Sequence, residues 1–145
     1  MQISDILTRK GSAVTSVQET DTIGAIVALL AEKRVGAVVV LDPRQKMAGI
    51  FSERDLVNAL AKRGPEILNL PVRDLMTRHV LTCTPEDKID TVLARMTANR
   101  IRHLPVLQNT QIAGIVSIGD LVLQRLNEKE LEAGVLLDLS RMRAG

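Results

Sequence analysis

Two segments of the chain place a serine and an aspartate three residues apart behind a glycine. They are Gly49-Ile50-Phe51-Ser52-Glu53-Arg54-Asp55 and Gly114-Ile115-Val116-Ser117-Ile118-Gly119-Asp120. A serine at a helix start caps a backbone N–H, and an acid in the first turn sits at the positive end of the helix. Capping is therefore the first chemistry these pairs can do. Other chemistries lack their residues. No nucleophile–histidine–acid set stands out, and neither GxxxxGK[ST] nor GxGxxG occurs. Cys83 is the single cysteine, and His79 and His103 are not spaced as a metal pair, so catalytic and metal sites are both expected to be absent.

Composition narrows the classes further. The 145 residues are 46% hydrophobic and 25% charged, as in an ordinary globular chain. Phe51 is the one aromatic residue, so the core must be aliphatic and no surface of stacked rings is available for single-stranded nucleic acid. A net charge of +2 is too small to drive strong nonspecific DNA binding. The start carries no basic region followed by an apolar run, and apolar stretches such as Val35 to Leu41 are too short to span a membrane. A cytoplasmic protein is the expectation.

The elements that must position the two Ser-x-x-Asp pairs repeat with them. Six of nine positions are identical between Gly49–Val57 and Gly114–Val122. Val35 to Val40 aligns with Ile101 to Val106, and Ile3 to Leu7 with Val72 to Met76. Each repeat reads as a short β segment (Val14 to Val17, Val80 to Cys83), a helix (Ile23, Ile26, Val27, Leu30; Ile89, Val92, Leu93, Met96), a buried strand (Ala37 to Leu41, His103 to Leu107), a second strand (Ala48 to Phe51, Ala113 to Val116) and a helix starting at Ser52 or Ser117. Thr84-Pro85 predicts the start of the helix in the second repeat, with threonine as N-cap and proline at the first helical position. The fold class is α/β of the mixed α+β kind: two tandem β-α-β-β-α repeats packed as a pseudo-twofold pair, with a C-terminal helix. Neither repeat alone is long enough to bury more than about 60% of its surface, so the two must share one module.

The expected boundaries are repeat one over 1–63, a linker over 64–71 around Gly64-Pro65, repeat two over 72–127, and a helical tail over 128–145. The tail is expected to break near Gly134 and to lay Leu136, Leu137 and Leu139 on a partner subunit.

Paired β-α-β-β-α repeats with Gly-hydrophobic-x-Ser-x-x-Asp, together with Arg102-His103-Leu104-Pro105-Val106 and Val72-Arg73-Asp74-Leu75-Met76-Thr77, resemble a cystathionine β-synthase (CBS) domain pair, or Bateman module, over residues 1 to about 127. The resemblance implies a stand-alone pair that binds an adenosine-containing ligand in clefts between its repeats and dimerises. It implies that Asp55 and Asp120 hold ribose hydroxyls, a task suited to a group with acceptors and no donor, with Ser52 and Ser117 facing the sugar or phosphate. Arg102 and His103, and Arg54 inside the first helix start, are implied phosphate ligands. Arg34 and Arg100 are weaker candidates. Asp120 with Arg102 and His103 is expected to build one cleft, and Asp55 with Arg54 the other. The base is implied to lie by the first β segments, at Ser16 and Val17 or Thr82 and Cys83. Ala37, Val38, Ile50, Leu104, Pro105 and Ile115 would wall it, although each also reads as plain core.

The functional expectation is a regulatory adenine-nucleotide-binding module, a sensor of AMP, ATP or NAD(H) with AMP foremost, and no catalytic cofactor. Its ligand-dependent repeat orientation would be read by a regulated partner protein. A homodimer is expected, with no nucleic acid or membrane partner. A small nucleotide-acting enzyme and a nucleic-acid-binding protein are the alternatives.

Overall fold

The computed structural model describes the backbone of residues 1–144 and the side chains of residues 1–134. The elements are α1 (Ile3–Lys10), β1 (Ser16–Gln18), α2 (Ile23–Lys33), β2 (Ala37–Leu41), β3 (Met47–Ser52), α3 (Glu53–Arg63), α4 (Ile89–Ala98), β4 (His103–Gln108), β5 (Gln111–Ser117) and α5 (Ile118–Ala144). Two 3-10 turns, Pro65–Asn69 and Val72–Asp74, lie between α3 and α4. The architecture is mixed α+β, as expected. One sheet has the order β1-β2-β3 and the other pairs β4 with β5.

In the first repeat, β2 runs parallel to β1 and antiparallel to β3, with Val39 opposite both Ser16 and Ile50. Ala37, Val38, Val39 and Val40 are all buried. A strand covered on both faces reads as a continuous run of β-branched residues rather than an alternation. In the second repeat, β4 and β5 pair in the same manner, with Pro105 opposite Ile115. The expected β segment over Val80 to Cys83 shrinks to a bridge between Cys83 and Val106. The cause is a single proline. In the first repeat Val39 N donates to the Thr15 carbonyl at 3.1 Å. The corresponding position in the second repeat is Pro105, which has no N–H to give.

Other expectations also need correction. The second repeat's helix begins at Ile89, behind Lys88, and not at Thr84-Pro85. Residues Thr84 to Asp87 form a turn instead, closed by Thr84 N donating to Asp87 Oδ2 at 2.9 Å and by Asp87 N donating to the Thr84 carbonyl at 3.1 Å. Asp87 thus ties the segment into a local turn. The tail does not break near Gly134, because α5 runs through it to Ala144. Leu136, Leu137 and Leu139 lie outside the residues whose side chains are described. Gly64 does end α3: its N–H donates to the Leu60 carbonyl at 2.9 Å, and its φ of 82° is one that glycine tolerates at little cost.

The two aliphatic cores exchange segments. Ile3 and Ile6 of α1 are fully buried among Ile89, Met96, Leu104 and Leu121 of the second repeat. Conversely, Ile67, Val72 and Met76 pack with Ile26, Val38 and Phe51 of the first. Each fully buried isoleucine contributes about 1.5–3 kcal/mol, so these crossings hold the repeats together. They also bring residues 76–77 close over β3. A Cβ at Gly49 would stand 2.5 Å from the Thr77 carbonyl, so only glycine admits the approach. Among the described residues no helix is long and apolar enough to cross a membrane, and no group of three or more His, Cys, Asp and Glu gathers as for a metal.

Candidate functional site

The first Ser-x-x-Asp pair forms a reciprocal cap where β3 enters α3. Asp55 N donates to Ser52 Oγ at 3.3 Å, and Ser52 N donates to Asp55 Oδ2 at 3.0 Å. Thr77 joins them. Its N–H and carbonyl bridge to Ile50, and its Oγ1 donates to Asp55 Oδ1 at 3.3 Å. A carboxylate held this way keeps acceptor capacity to spare, because each of its oxygens can take two donors. Capping and ligand binding are therefore compatible at Asp55.

Asp55 and Ser52 line a cavity of about 420 Å³ together with Gly36, Glu53, Arg54, Thr77, Arg100, Ile101, Arg102 and His103. The basic residues thus come from both repeats. Arg54 Nη1 donates to the Arg100 carbonyl at 3.2 Å, which ties α3 to the turn ahead of β4. Arg100 itself adopts a left-handed conformation, φ 54°, as its counterpart Arg34 does after α2. These turns aim the chain from helix into strand. A second cavity of about 350 Å³ shares Ile50, Thr77, Ile101 and His103 with the first and extends to His79, Val80, Leu81 and Asn99. The two cavities adjoin through four shared lining residues and bring together a carboxylate, three arginines and the aliphatic side chains of Val80 and Leu81.

His103 stands at the junction. Burial holds its pKa below the ordinary 6.5, with Lys10 and Arg102 acting in the same sense and Glu53 and Asp120 opposing. The imidazole is thus neutral near pH 7, and it gains a proton most readily when an anion arrives beside it. A Cβ at Gly36 would stand 2.8 Å from His103 Nε2. A side chain at position 36 would therefore require the His103 imidazole to shift.

The second Ser-x-x-Asp pair has the same local geometry and different surroundings. Ser117 N donates to Asp120 Oδ2 at 2.8 Å, and Asp120 N donates to Ser117 Oγ at 3.1 Å. Lys10 then forms an ion pair with the same Oδ2 at 2.7 Å. Burial pushes the Asp120 carboxyl up, but the hydrogen bonds from Lys10 and Ser117 and the Lys10 charge outweigh it and hold the group below the ordinary 3.8. Ser117 and Asp120 line neither of the two cavities above; Arg102 and His103 line the cavity of Asp55, and His103 also lies within electrostatic reach of Asp120 and Lys10.

The remaining candidates separate by depth. Ala37, Val38 and Pro105 are buried inside the sheets and line neither cavity. Thr82 is half-buried beside the Cys83 bridge and also lines neither. Ser16 lines a separate cavity of about 760 Å³ between the two hairpin turns, with Arg44, Lys46 and Gln111. Cys83 is buried, and burial, with Asp87 nearby, pushes its thiol up to about 12, so it packs as a neutral thiol. Thr77, Glu53 and Lys10 were missed as site residues. Thr77 had a signal, since Thr8 repeats it in the aligned segment ahead of the other core. Lys10 had none, because its counterpart is His79.

The CBS domain family model matches residues 3–62 and 72–126. The chain is 36% identical to the mitochondrial CBS domain-containing protein CBSX3 of Arabidopsis thaliana over 86% of its length and 69% of that protein's. Among solved structures, the CBS-domain containing protein ATU1752 from Agrobacterium tumefaciens superposes with a TM-score of 0.84 at 41% identity, covering 86% of this chain and 99% of that one. The CBS domain protein PAE2072 from Pyrobaculum aerophilum, complexed with AMP, gives 0.76 at 27% identity over 92% of this chain and 99% of that one. Both repeats match, and the two solved relatives share the fold along nearly their whole length: the chain belongs to the CBS domain family.

Proposed function

We propose that the chain is a regulatory module that binds an adenine nucleotide, AMP foremost, in the cleft between its repeats. One observation carries the reading: Ser52 and Asp55 of the first repeat and Arg102 and His103 of the second line the same cavity. The ribose diol would lie on Asp55, and the phosphate on Arg54, Arg102 and His103. The adenine would lie in the apolar annex by Val80, Leu81 and Ile101. Support comes from the AMP-complexed relative in Pyrobaculum aerophilum. A nucleotide that spans two repeats binds their possible orientations with unequal affinity, and that difference is what a partner protein reads.

Calorimetric titration with AMP, ATP, NADH and a short RNA tests the proposal, with chromatography of the nucleotides afterwards. AMP should bind and be recovered intact. At a hundredfold excess over its Kd it should stabilise the fold by about 2.7 kcal/mol. Binding of RNA alone, or consumption of the nucleotide, would replace this reading with the nucleic-acid or enzyme alternative. A homodimer is part of the proposal. Val57 and Leu60 on α3 and Val122, Leu123, Leu126 and Leu131 on α5 are exposed apolar side chains that a second copy would cover. Sedimentation should give twice 15.9 kDa, and a folded monomer at micromolar concentration would contradict it.

A further inference from the structure

Where the second repeat would mirror the Asp55 cleft, its acceptors are already taken from within the chain. Lys10 Nζ donates to Asp120 Oδ2 at 2.7 Å and to the Ile115 carbonyl at 2.8 Å. Asp120 and Ile115 are the repeat counterparts of Asp55 and Ile50, both of which line the open cavity. The lysine is delivered by a fixed element. It is the last residue of α1, whose Ile3 and Ile6 are fully buried in the second core and whose Leu7 fills the space over Gly114. Its side chain is 34% exposed and that of Asp120 23%, so the pair is partly withdrawn from water. The counterpart of Lys10 is His79, which lines the open annex and leaves Asp55 to the Thr77 hydroxyl.

The repeat positions that supply the cations of the open cleft supply none to its counterpart. Gly36, Ala37 and Gly119 stand where the first cleft has Arg102, His103 and Arg54. An opened second site would meet a ribose through Asp120 and would offer little to a phosphate.

We propose that Lys10 sets how many nucleosides the chain holds: its ammonium masks a second, Asp120-based site suited to an uncharged nucleoside, and the open cleft alone takes a nucleotide. This rests on reading Ser-x-x-Asp as a ribose-binding element. Withdrawal of the Lys10 side chain, with α1 still seated in the second core, is what unmasks the second site.

Calorimetry with AMP and adenosine on the full chain tests this. The wild type should take one AMP. Lys10→Met should keep that site and add a second equivalent of adenosine. The added site should persist with Asp55→Asn and vanish with Asp120→Asn in the Lys10→Met background. Lys10→Gln serves as the second substitution, with circular dichroism melts confirming that each variant folds. Two AMP per wild-type chain, or no site gained on removing Lys10, would overturn the proposal. Loss of an existing site in Lys10→Met would also overturn it, because Lys10 would then be a phosphate ligand rather than a mask. A wild type that takes no AMP, beside a Lys10→Met chain that takes one adenosine through Asp120, would sink the open-cleft reading and leave this inference standing. No binding in either chain would overturn both.

Discussion

Asp55 and Asp120 are the same device in two settings. Both sit one turn into a helix, both accept from the N–H of the serine that caps it, at 3.0 and 2.8 Å, and both give their own N–H to that serine's oxygen. What differs arrives from far along the chain. Asp55 faces a cavity lined by Arg100, Arg102 and His103 of the other repeat, while Asp120 is neutralised by Lys10, 110 residues away. The comparison teaches that the local motif specifies a helix cap. Whether the cap is also a binding site depends on which long-range neighbour occupies the carboxylate.

The largest expected effect separates the two aspartates. Asp55→Ala should weaken AMP binding about ten- to a hundredfold, since hydrogen bonds to a charged group contribute about 1.5–3 kcal/mol. Asp120→Ala should leave AMP affinity unchanged in the same titration. Equal losses in both variants would erase the distinction between the clefts. If affinity survives both changes while each costs about 1 kcal/mol of stability, the two motifs are caps and nothing more.

A tenfold effect is expected at the phosphate. Arg102→Ala should weaken AMP by about that factor through loss of a charge-assisted contact and leave adenosine nearly unaffected. A matched loss for both ligands would move Arg102 from the phosphate to the nucleoside.

A smaller effect tests why the repeats are unequal. Gly36→Ala puts a methyl 2.8 Å from His103 Nε2, which should cost about 1 kcal/mol of stability through overpacking and shift the imidazole resonances of His103. At Gly119 a Cβ would meet Ser117 Oγ at 3.6 Å, an ordinary contact, so alanine there should be tolerated in a urea denaturation series. Tolerance at both glycines would mean that His103 does not shape the first repeat.

The smallest effect is a pH dependence at Asp120. Its folded carboxyl lies below 3.8, so the Lys10 pair stabilises the fold above the unfolded-state value, and that stabilisation is lost as pH falls through the lower folded value. For a partly exposed pair the contribution is about 0.5–1 kcal/mol. Asp120→Asn should therefore be less stable than wild type at pH 7, with the gap closing in acid. A gap that is constant with pH would assign the loss to packing and not to the ion pair.

Much of the fold was legible because short-range physics decides it. The aliphatic run of Ala37 to Leu41 reads as a covered strand, Ser52 and Ser117 as helix starts, and Gly64 as a helix end, and each of these elements is present. Two misreadings came from local signals that met stronger local competitors. Thr84-Pro85 resembled a helix start until Asp87 closed a turn over it, and Pro105 removed the donor that the second repeat's first strand needed. The continuous helix through Gly134 went the same way, because one glycine weakens a helix by only about 1 kcal/mol.

The sequence by itself determined the repeats, the caps and the list of residues able to meet a sugar or a phosphate, since each follows from spacing of a few residues. Only the tertiary structure decided how they combine. The exchange of α1 and residues 67–76 between cores set Thr77 beside Asp55 and Lys10 beside Asp120, and the packing of the two sheets turned Arg102 and His103 toward the first repeat. The physical reason is one of range. Caps and turns are settled by hydrogen bonds within four residues, whereas the occupant of Asp120 is settled by the burial of Ile3 and Ile6 at the other end of the chain, which brings Lys10 to a carboxylate 110 positions away.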